Sequence, residues 1–292
     1  MASALALPSL RGGSWIVAAL AGVAAGLVNA LAGGGSLISF PVLTALGLPP
    51  LIANLTNTVA LSPGYLGAVW SQRRDLAGQG QRIRLLVPAA CLGGLLGGAL
   101  LLVSNARLFD ALVPWLILFG SLLLALQPPL RQLLRSAAAA TSSASFAAPS
   151  SASTSASAST SASASGSPTA SPRPRRVPLP LIAVVGLAAV YGGYFGAGLS
   201  VIFLAVLGLL LDDSLTRLNG LKQLLSFATN ACAALVLIAS GRVNWPMALI
   251  VSLASLVGGA LGGAVAHRVN ERALRWLVVS LGVVVGLWFL RR

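Results

Sequence analysis

Lys222 is the only lysine in the chain, and it stands in a polar stripe within an apolar segment. The stripe reads Asn219, Lys222, Gln223, Ser226, Asn230. Steps of three and four residues put these side chains on one helix face. Asn54, Asn57, Thr58 and Ser62 form a second stripe, and one constant shift lays Asn54 on Asn219, Asn57 on Lys222 and Thr58 on Gln223. Both stripes lie in segments long enough to cross a bilayer, where polar groups are costly and face a partner or a cavity. An ammonium beside neutral amides and hydroxyls is chemistry for holding an anion. The competing reading sends the amine to backbone carbonyls or to a membrane interface. Lys222 follows Ser214, the expected helix cap, by eight residues, or about 12 Å of helix, which makes snorkelling from that end difficult.

Gly33, Gly34, Gly35 and Ser36 are the next candidates, with Gly196 and Gly198 as counterparts in the second half. Each glycine costs a helix about 1 kcal/mol relative to alanine, so three in a row favour a break. Unwound backbone at membrane depth is tolerated where it is buried in protein or lines a wet cavity. N–H groups opening the following half-helix would present a positive dipole end to an anion. Close packing against a neighbouring helix is the alternative. No GxxxxGK[ST] pattern is present, so this is not a nucleotide loop. These residues, with Asn54, Asn57, Thr58, Asn219, Lys222 and Gln223, make up the candidate substrate-binding set.

The segments that must position them are those of a membrane protein. The chain is 57% hydrophobic and 8% charged, with a mean hydropathy of +0.90. Apolar stretches of about 20 residues recur without the alternation of barrel strands, which predicts an all-α polytopic fold. A net charge of +14 would point to nucleic acid in a soluble protein. Here the arginines gather between apolar runs, as the positive-inside bias predicts, and no nucleic-acid partner is expected. Cys91 and Cys232 lie in apolar runs and read as small buried hydrophobes. His267 falls in a charged loop. No HExxH, buried Asp pair or Ser–His pairing can be assembled, so neither an enzyme nor a metal or cofactor site is expected.

Four regions follow: a tail at 1–14, a first membrane repeat at 15–130, a flexible Ser/Ala/Pro-rich linker at 131–177, and a second repeat at 178–292. Each repeat opens on an apolar region too long for one span and interrupted by glycines. Gly93-Gly94 and Gly97-Gly98 match Gly258-Gly259 and Gly262-Gly263, small-xxx-small faces expected to bring helices together. Internal duplication on this scale is a transporter trait. About eight spans with cytoplasmic termini place the 71–84 loop, the linker and Arg291-Arg292 inside. That arrangement strands Arg268, Arg272 and Arg275 outside. If each long region instead crosses twice, each half has five spans and the repeats are inverted. Tyr65, Trp70, Trp115, Trp245 and Trp288 read as an aromatic belt, and Tyr191 and Tyr194 as residues near a cavity. Arg217, beside Asp212 and Asp213, reads as a surface pair or gate.

Asn29-Ala-Leu-Ala-Gly-Gly-Gly-Ser36, with Pro41, Gly47 and Ala53-Asn-Leu-Thr-Asn57, resembles the first-half motif of the sulfite exporter TauE/SafE family. Tyr191-Gly-Gly-Tyr-Phe-Gly-Ala-Gly198 and Asn219-Gly-Leu-Lys222 are similar to its second repeat. The resemblance covers all but the tail and the linker, which is a departure from the family pattern. It implies a permease for sulfite or a small organosulfur or organic anion, working in the inner membrane by alternating access. An anion channel and a non-transporting assembly factor are the alternatives. The expected partners are a small anion and the lipid bilayer, and a homo-oligomer is compatible with the pattern. No deep carboxylate offers itself for proton coupling.

Overall fold

The computed structural model describes residues 12–146, 178–211, 213–265 and 271–291. Ten α-helices and one 3-10 turn make up the described chain, with no strand among the described residues. The first five are α1 (Gly12–Leu31), α2 (Ser36–Ala45), α3 (Pro50–Ser71), α4 (Gly80–Val103) and α5 (Ala106–Phe146). The second five are α6 (Leu179–Tyr194), α7 (Leu199–Leu210), α8 (Leu215–Ala239), α9 (Trp245–Val265) and α10 (Glu271–Leu290). The turn Arg73–Leu76 joins α3 to α4.

The count of eight spans is not what the structure returns. Among the described residues, six helices are long and apolar enough to cross a membrane: α1, α4, α5, α8, α9 and α10. The long region at the start of each half becomes a helix followed by a short apolar one, α2 of 10 residues and α7 of 12. The 22 residues of α3 have the length of a span, but its polar stripe lowers its hydropathy. α5 also runs to Phe146, into the tract read as linker, because Leu, Arg, Gln and Ala dominate the stretch after Pro129 and are strong helix formers. The rest of that tract, with Arg173, Arg175 and Arg176, lies outside the described residues, as do the tail through Arg11, Asp212, His267 and Arg268.

Small residues set the helix directions. A β-carbon on Gly22 would lie 2.7 Å from the Ala254 Cβ, and one on Gly26 2.1 Å from the Ser255 carbonyl, so α1 runs parallel to α9. α3 runs parallel to α9 as well, with Gly64 against Ser255 and Gly67 against Leu256 and Ala260. α4 repeats the arrangement with the other five helices. Gly93 and Gly97 pack on Gly186 and Val190 of α6, and Gly94 and Gly98 on Thr229 and Ala233 of α8, all parallel. α9 is thus wedged between α1 and α3, and α4 between α6 and α8. The glycine faces bring helices together as their spacing predicts.

α3 and α8 are antiparallel: Gln72, just past the end of α3, accepts from Asn219 in the second turn of α8 (2.7 Å), while the Asn244 N–H beyond α8 donates to Thr56 near the start of α3 (3.1 Å). The two sets of five helices therefore run in opposite directions. α2 folds back along α1, with Gly35 against the Ala25 carbonyl, and α5 and α10 are antiparallel, with Gly282 on Ser121 and Gly286 on Leu118. Following the chain through, Gly12 and Arg291 lie at one end of the bundle, and the Gln72–Gln79 connection, Asp213 and the start of α10 at the other. The arrangement that grouped the 71–84 loop with Arg291 fails because each short helix reverses the chain. Arg272 and Arg275 then join the end that carries Arg73, Arg74, Arg82, Arg84 and Arg217.

Candidate functional site: paired helix breaks at the centre of the bundle

The first break is built by Asn29. Its side-chain oxygen accepts from the N–H groups of Gly34 (3.2 Å) and Gly35 (2.7 Å), leading the chain from the end of α1 into α2. Gly33 makes the turn at φ 76°, a conformation costly to a residue with a Cβ. A β-carbon there would also lie 2.4 Å from the Ser200 Cβ, at the start of α7, so the two breaks touch. The second break has glycine, Gly192, where the first has Asn29. It is held instead by the Tyr191 hydroxyl, which donates to the Ala197 carbonyl (2.6 Å), with the Tyr191 ring edge-on to Phe119.

The breaks are thus confirmed at the glycines, and the role expected of their amides changes. Two of the N–H groups meant for an anion, those of Gly34 and Gly35, are already taken by Asn29. Gly35 is packed on α1, Gly34 on Leu124 of α5, and Gly198, at φ 77°, on Gly120 and Leu123 of α5. Close packing is what these three glycines do. Gly196 turns the chain at φ 79°, and Ser36 is buried at the start of α2.

The polar stripes cross between the two sets of helices. Helix C-termini leave carbonyls without intrahelical donors, and each stripe supplies donors to the broken helix of the other set. The Asn54 amide donates to the Tyr194 carbonyl at the end of α6 (2.9 Å). The Gln223 amide donates to the Asn29 (3.3 Å) and Ala30 (3.1 Å) carbonyls at the end of α1. From α5, Gln127 donates to the Ala32 carbonyl (3.1 Å). Asn57 accepts from Ser39 of α2 (2.5 Å), and Ser200 of α7 meets Ser226 of α8 (3.3 Å). The Thr58 hydroxyl donates to the Asn54 carbonyl within its own helix. Lys222, 0% exposed, precedes Gln223 on α8 and is among the largest fully buried side chains. Its burial excludes snorkelling to an interface.

Not every stripe residue belongs to the centre. Asn219 stands at the end of the bundle, bonded to Gln72, beside a polar seam between the two sets. There Asp213 is ion-paired with Arg82 at the start of α4 and with Arg217 (3.2 Å), and the Gln79 amide bridges the Asp75 and Arg217 carbonyls. Burial works against ionisation of Asp213, yet hydrogen bonds from Arg82 and the Ser214 N–H, with the charges of Arg217 and Arg82, outweigh it and hold the carboxyl below its ordinary value. The paired role read for Arg217 is what the geometry gives it.

Several residues of the centre escaped the sequence reading. Ser39, Gln127 and Ser200 are isolated polar residues in apolar runs, and that isolation was their signal; Asn29 enters the sequence reading only as the first residue of the family motif, outside the candidate set. Tyr65, assigned to the belt, is buried at 2% exposure with its hydroxyl facing Ser200 and Asn29. Arg275, read as a loop residue, is buried in the first turns of α10. The other belt aromatics Trp70, Trp115, Trp245 and Trp288 are exposed. Polar atoms left over at the centre are Asn54 Oδ1, Gln127 Oε1 and Gln223 Oε1, each buried without a hydrogen-bond partner. An orphaned buried group costs roughly 1–3 kcal/mol, so such clusters call for a ligand or ordered water. Among the described residues no group of His, Cys, Asp and Glu could hold a metal ion.

An exterior lined with leucine and tryptophan, six long apolar helices and a polar, backbone-broken centre define a polytopic α-helical membrane protein. Residues 18–289 match the family model described as sulfite exporter TauE/SafE, and the chain belongs to that family of membrane transporters. Among curated proteins it is similar to a "Probable membrane transporter protein" of Haemophilus influenzae, 23% identical over 90% of this chain and 89% of the relative. It is 22% identical to "Probable membrane transporter protein YfcA" of Escherichia coli K12, over 96% of this chain and 89% of that one. "Probable membrane transporter protein ORF9" of a Sinorhizobium species is 21% identical, over 90% and 87%. No solved structure matches the chain.

Proposed function

We propose that the chain is a permease for a small anion, sulfite or an organosulfur or organic anion, working by alternating access in the cytoplasmic membrane. The two sets of five helices are duplicated, inverted repeats, and the substrate binds between them at the paired breaks. The observation that carries this reading is the burial of the chain's one lysine on the helix that closes the first break. Lys222, buried at the centre, supplies charge to the anion. Rocking of one repeat on the other would open the breaks alternately to each side. The Arg82–Asp213–Arg217 seam then closes one mouth, because it joins the two repeats at one end only.

The positive-inside bias supports a cytoplasmic location for the end bearing Arg73, Arg74, Arg82, Arg84 and Arg217. Gly12 and Arg291 then face the opposite side, in place of the cytoplasmic termini that eight spans implied. Flux of sulfite, sulfate, thiosulfate, small sulfonates and carboxylates into proteoliposomes tests the function. Saturable flux selective for one of these anions is expected. Unsaturable conductance would make the protein a channel, and folded protein that moves none of them would overturn the permease.

A further inference from the structure

The end of α1 holds more oxygen than its hydrogen bonds use. Gln127 from α5 and Gln223 from α8 turn their NH2 groups onto carbonyls at the end of α1, Gln223 onto those of Asn29 and Ala30 and Gln127 onto that of Ala32 just beyond it. Those donations fix the orientation of each amide, since its oxygen cannot face a carbonyl. The side-chain oxygens Gln127 Oε1 and Gln223 Oε1 are therefore left beside the helix end, buried and without a donor. The two residues are 1% and 0% exposed, so bulk water does not reach them. Among the described residues, α6, the corresponding broken helix, receives one such amide, Asn54, at the Tyr194 carbonyl.

Neutral amide and peptide oxygens at the negative end of a helix dipole are ligands for a hard cation. A divalent ion would call for carboxylates, and the described ones, Asp75, Asp110, Asp213 and Glu271, stand at helix ends by the loops. Amides do not titrate in the working pH range, which removes the proton as the occupant. We infer that the C-terminal end of α1, with Gln127 and Gln223, binds a monovalent alkali cation, sodium in the first instance, and that this cation is the coupling ion. The coupling rests on the anion reading above. Lys222 adjoins Gln223, so a cation at the α1 end adds positive charge to the same region of α8, and the anion supplies the negative charge that makes joint occupancy favourable. Each ion then raises the affinity for the other by one shared factor.

The test is the melting temperature of the purified full chain in NaCl, KCl and choline chloride at equal ionic strength, with sulfite titrated into each. An alkali-specific rise over choline without sulfite is expected, sodium above potassium, and about tenfold tighter apparent sulfite affinity in that salt. Gln127→Met and Gln223→Met should abolish the salt-specific rise. Gln223→Glu, which restores an oxygen ligand, should keep it and make it grow as pH climbs through the carboxylate range; it also carries the test if the methionine variants do not fold. Equal melting in all three salts overturns the cation site, whatever sulfite does. An alkali-specific rise with sulfite affinity identical in every salt keeps the site and overturns the coupling. That rise with no response to sulfite in any salt keeps the site, overturns its coupling to sulfite, and counts against sulfite as the anion.

Discussion

Asn29 shows how one side chain can shape a membrane helix break. Its oxygen takes two of the backbone donors that a broken helix exposes, and its side chain also meets the Tyr65 hydroxyl. Replacing Asn29 by Ala removes an acceptor comparable to a helix cap, with an expected loss of about 1–2 kcal/mol. Asn29→Asp keeps the oxygen and should recover most of that loss; melting of the two variants in detergent compares them, and equal destabilisation would contradict the capping role. The type and spacing of Lys222, Gln223, Asn54 and Asn57 were legible in the sequence because helical periodicity marks a face. What each amide bonds to was not, since Asn54 and Gln223 reach helix ends far away along the chain. Asn219 shows the limit of periodicity: it shares the face of Lys222 yet lies at the mouth.

At the scale of elements, sequence spacing located the glycine faces and the breaks. It left open whether a chain leaving a break continues across the membrane or turns back. That depends on close approaches such as Gly35 on Ala25 and Gly33 on Ser200, which no local pattern encodes. The wedges of α4 and α9 tolerate no side chain at their contacts. Gly94→Val would drive a β-carbon to within 2.3 Å of the Thr229 carbonyl, and the expected outcome is loss of folded protein by size-exclusion profile, whereas Gly13→Val, with open space around it, should leave the profile unchanged. The seam between α4 and α8 adds a pH signature. Because the folded carboxyl of Asp213 sits below its ordinary value, its stabilising contribution is complete above about pH 3.9 and disappears as pH falls through the lowered folded value. Asp213→Asn should flatten that acid limb of the melting curve. An unchanged limb would show that the Arg82–Asp213 pair adds nothing to stability.

For the whole molecule, opposed directions of the two helix sets put the Gln72–Gln79 connection at one end of the bundle and Gly12 and Arg291 at the other. With Cys91 and Cys232 replaced by serine, a membrane-impermeant thiol reagent applied to intact cells should label Arg291→Cys, and label Arg84→Cys only after the membrane is opened; labelling of both from one side would return the molecule to the even grouping of eight spans. The recurrence of glycines and polar stripes could be read in the chain because they return at a constant shift. The opposed directions of the two helix sets could not, because they hang on two short helices whose apolar composition is equally that of a spanning segment. Lys222 is the fully buried lysine on the helix that closes the first break. The decisive measurement is the initial rate of anion uptake into proteoliposomes by wild type and by Lys222→Gln, both reconstituted as folded protein, with whichever anion wild type carries. The account predicts saturable uptake in wild type and a loss of about a hundredfold or more in Lys222→Gln, as befits a desolvated charge-assisted contact. Uptake by Lys222→Gln at the wild-type rate and affinity would contradict it.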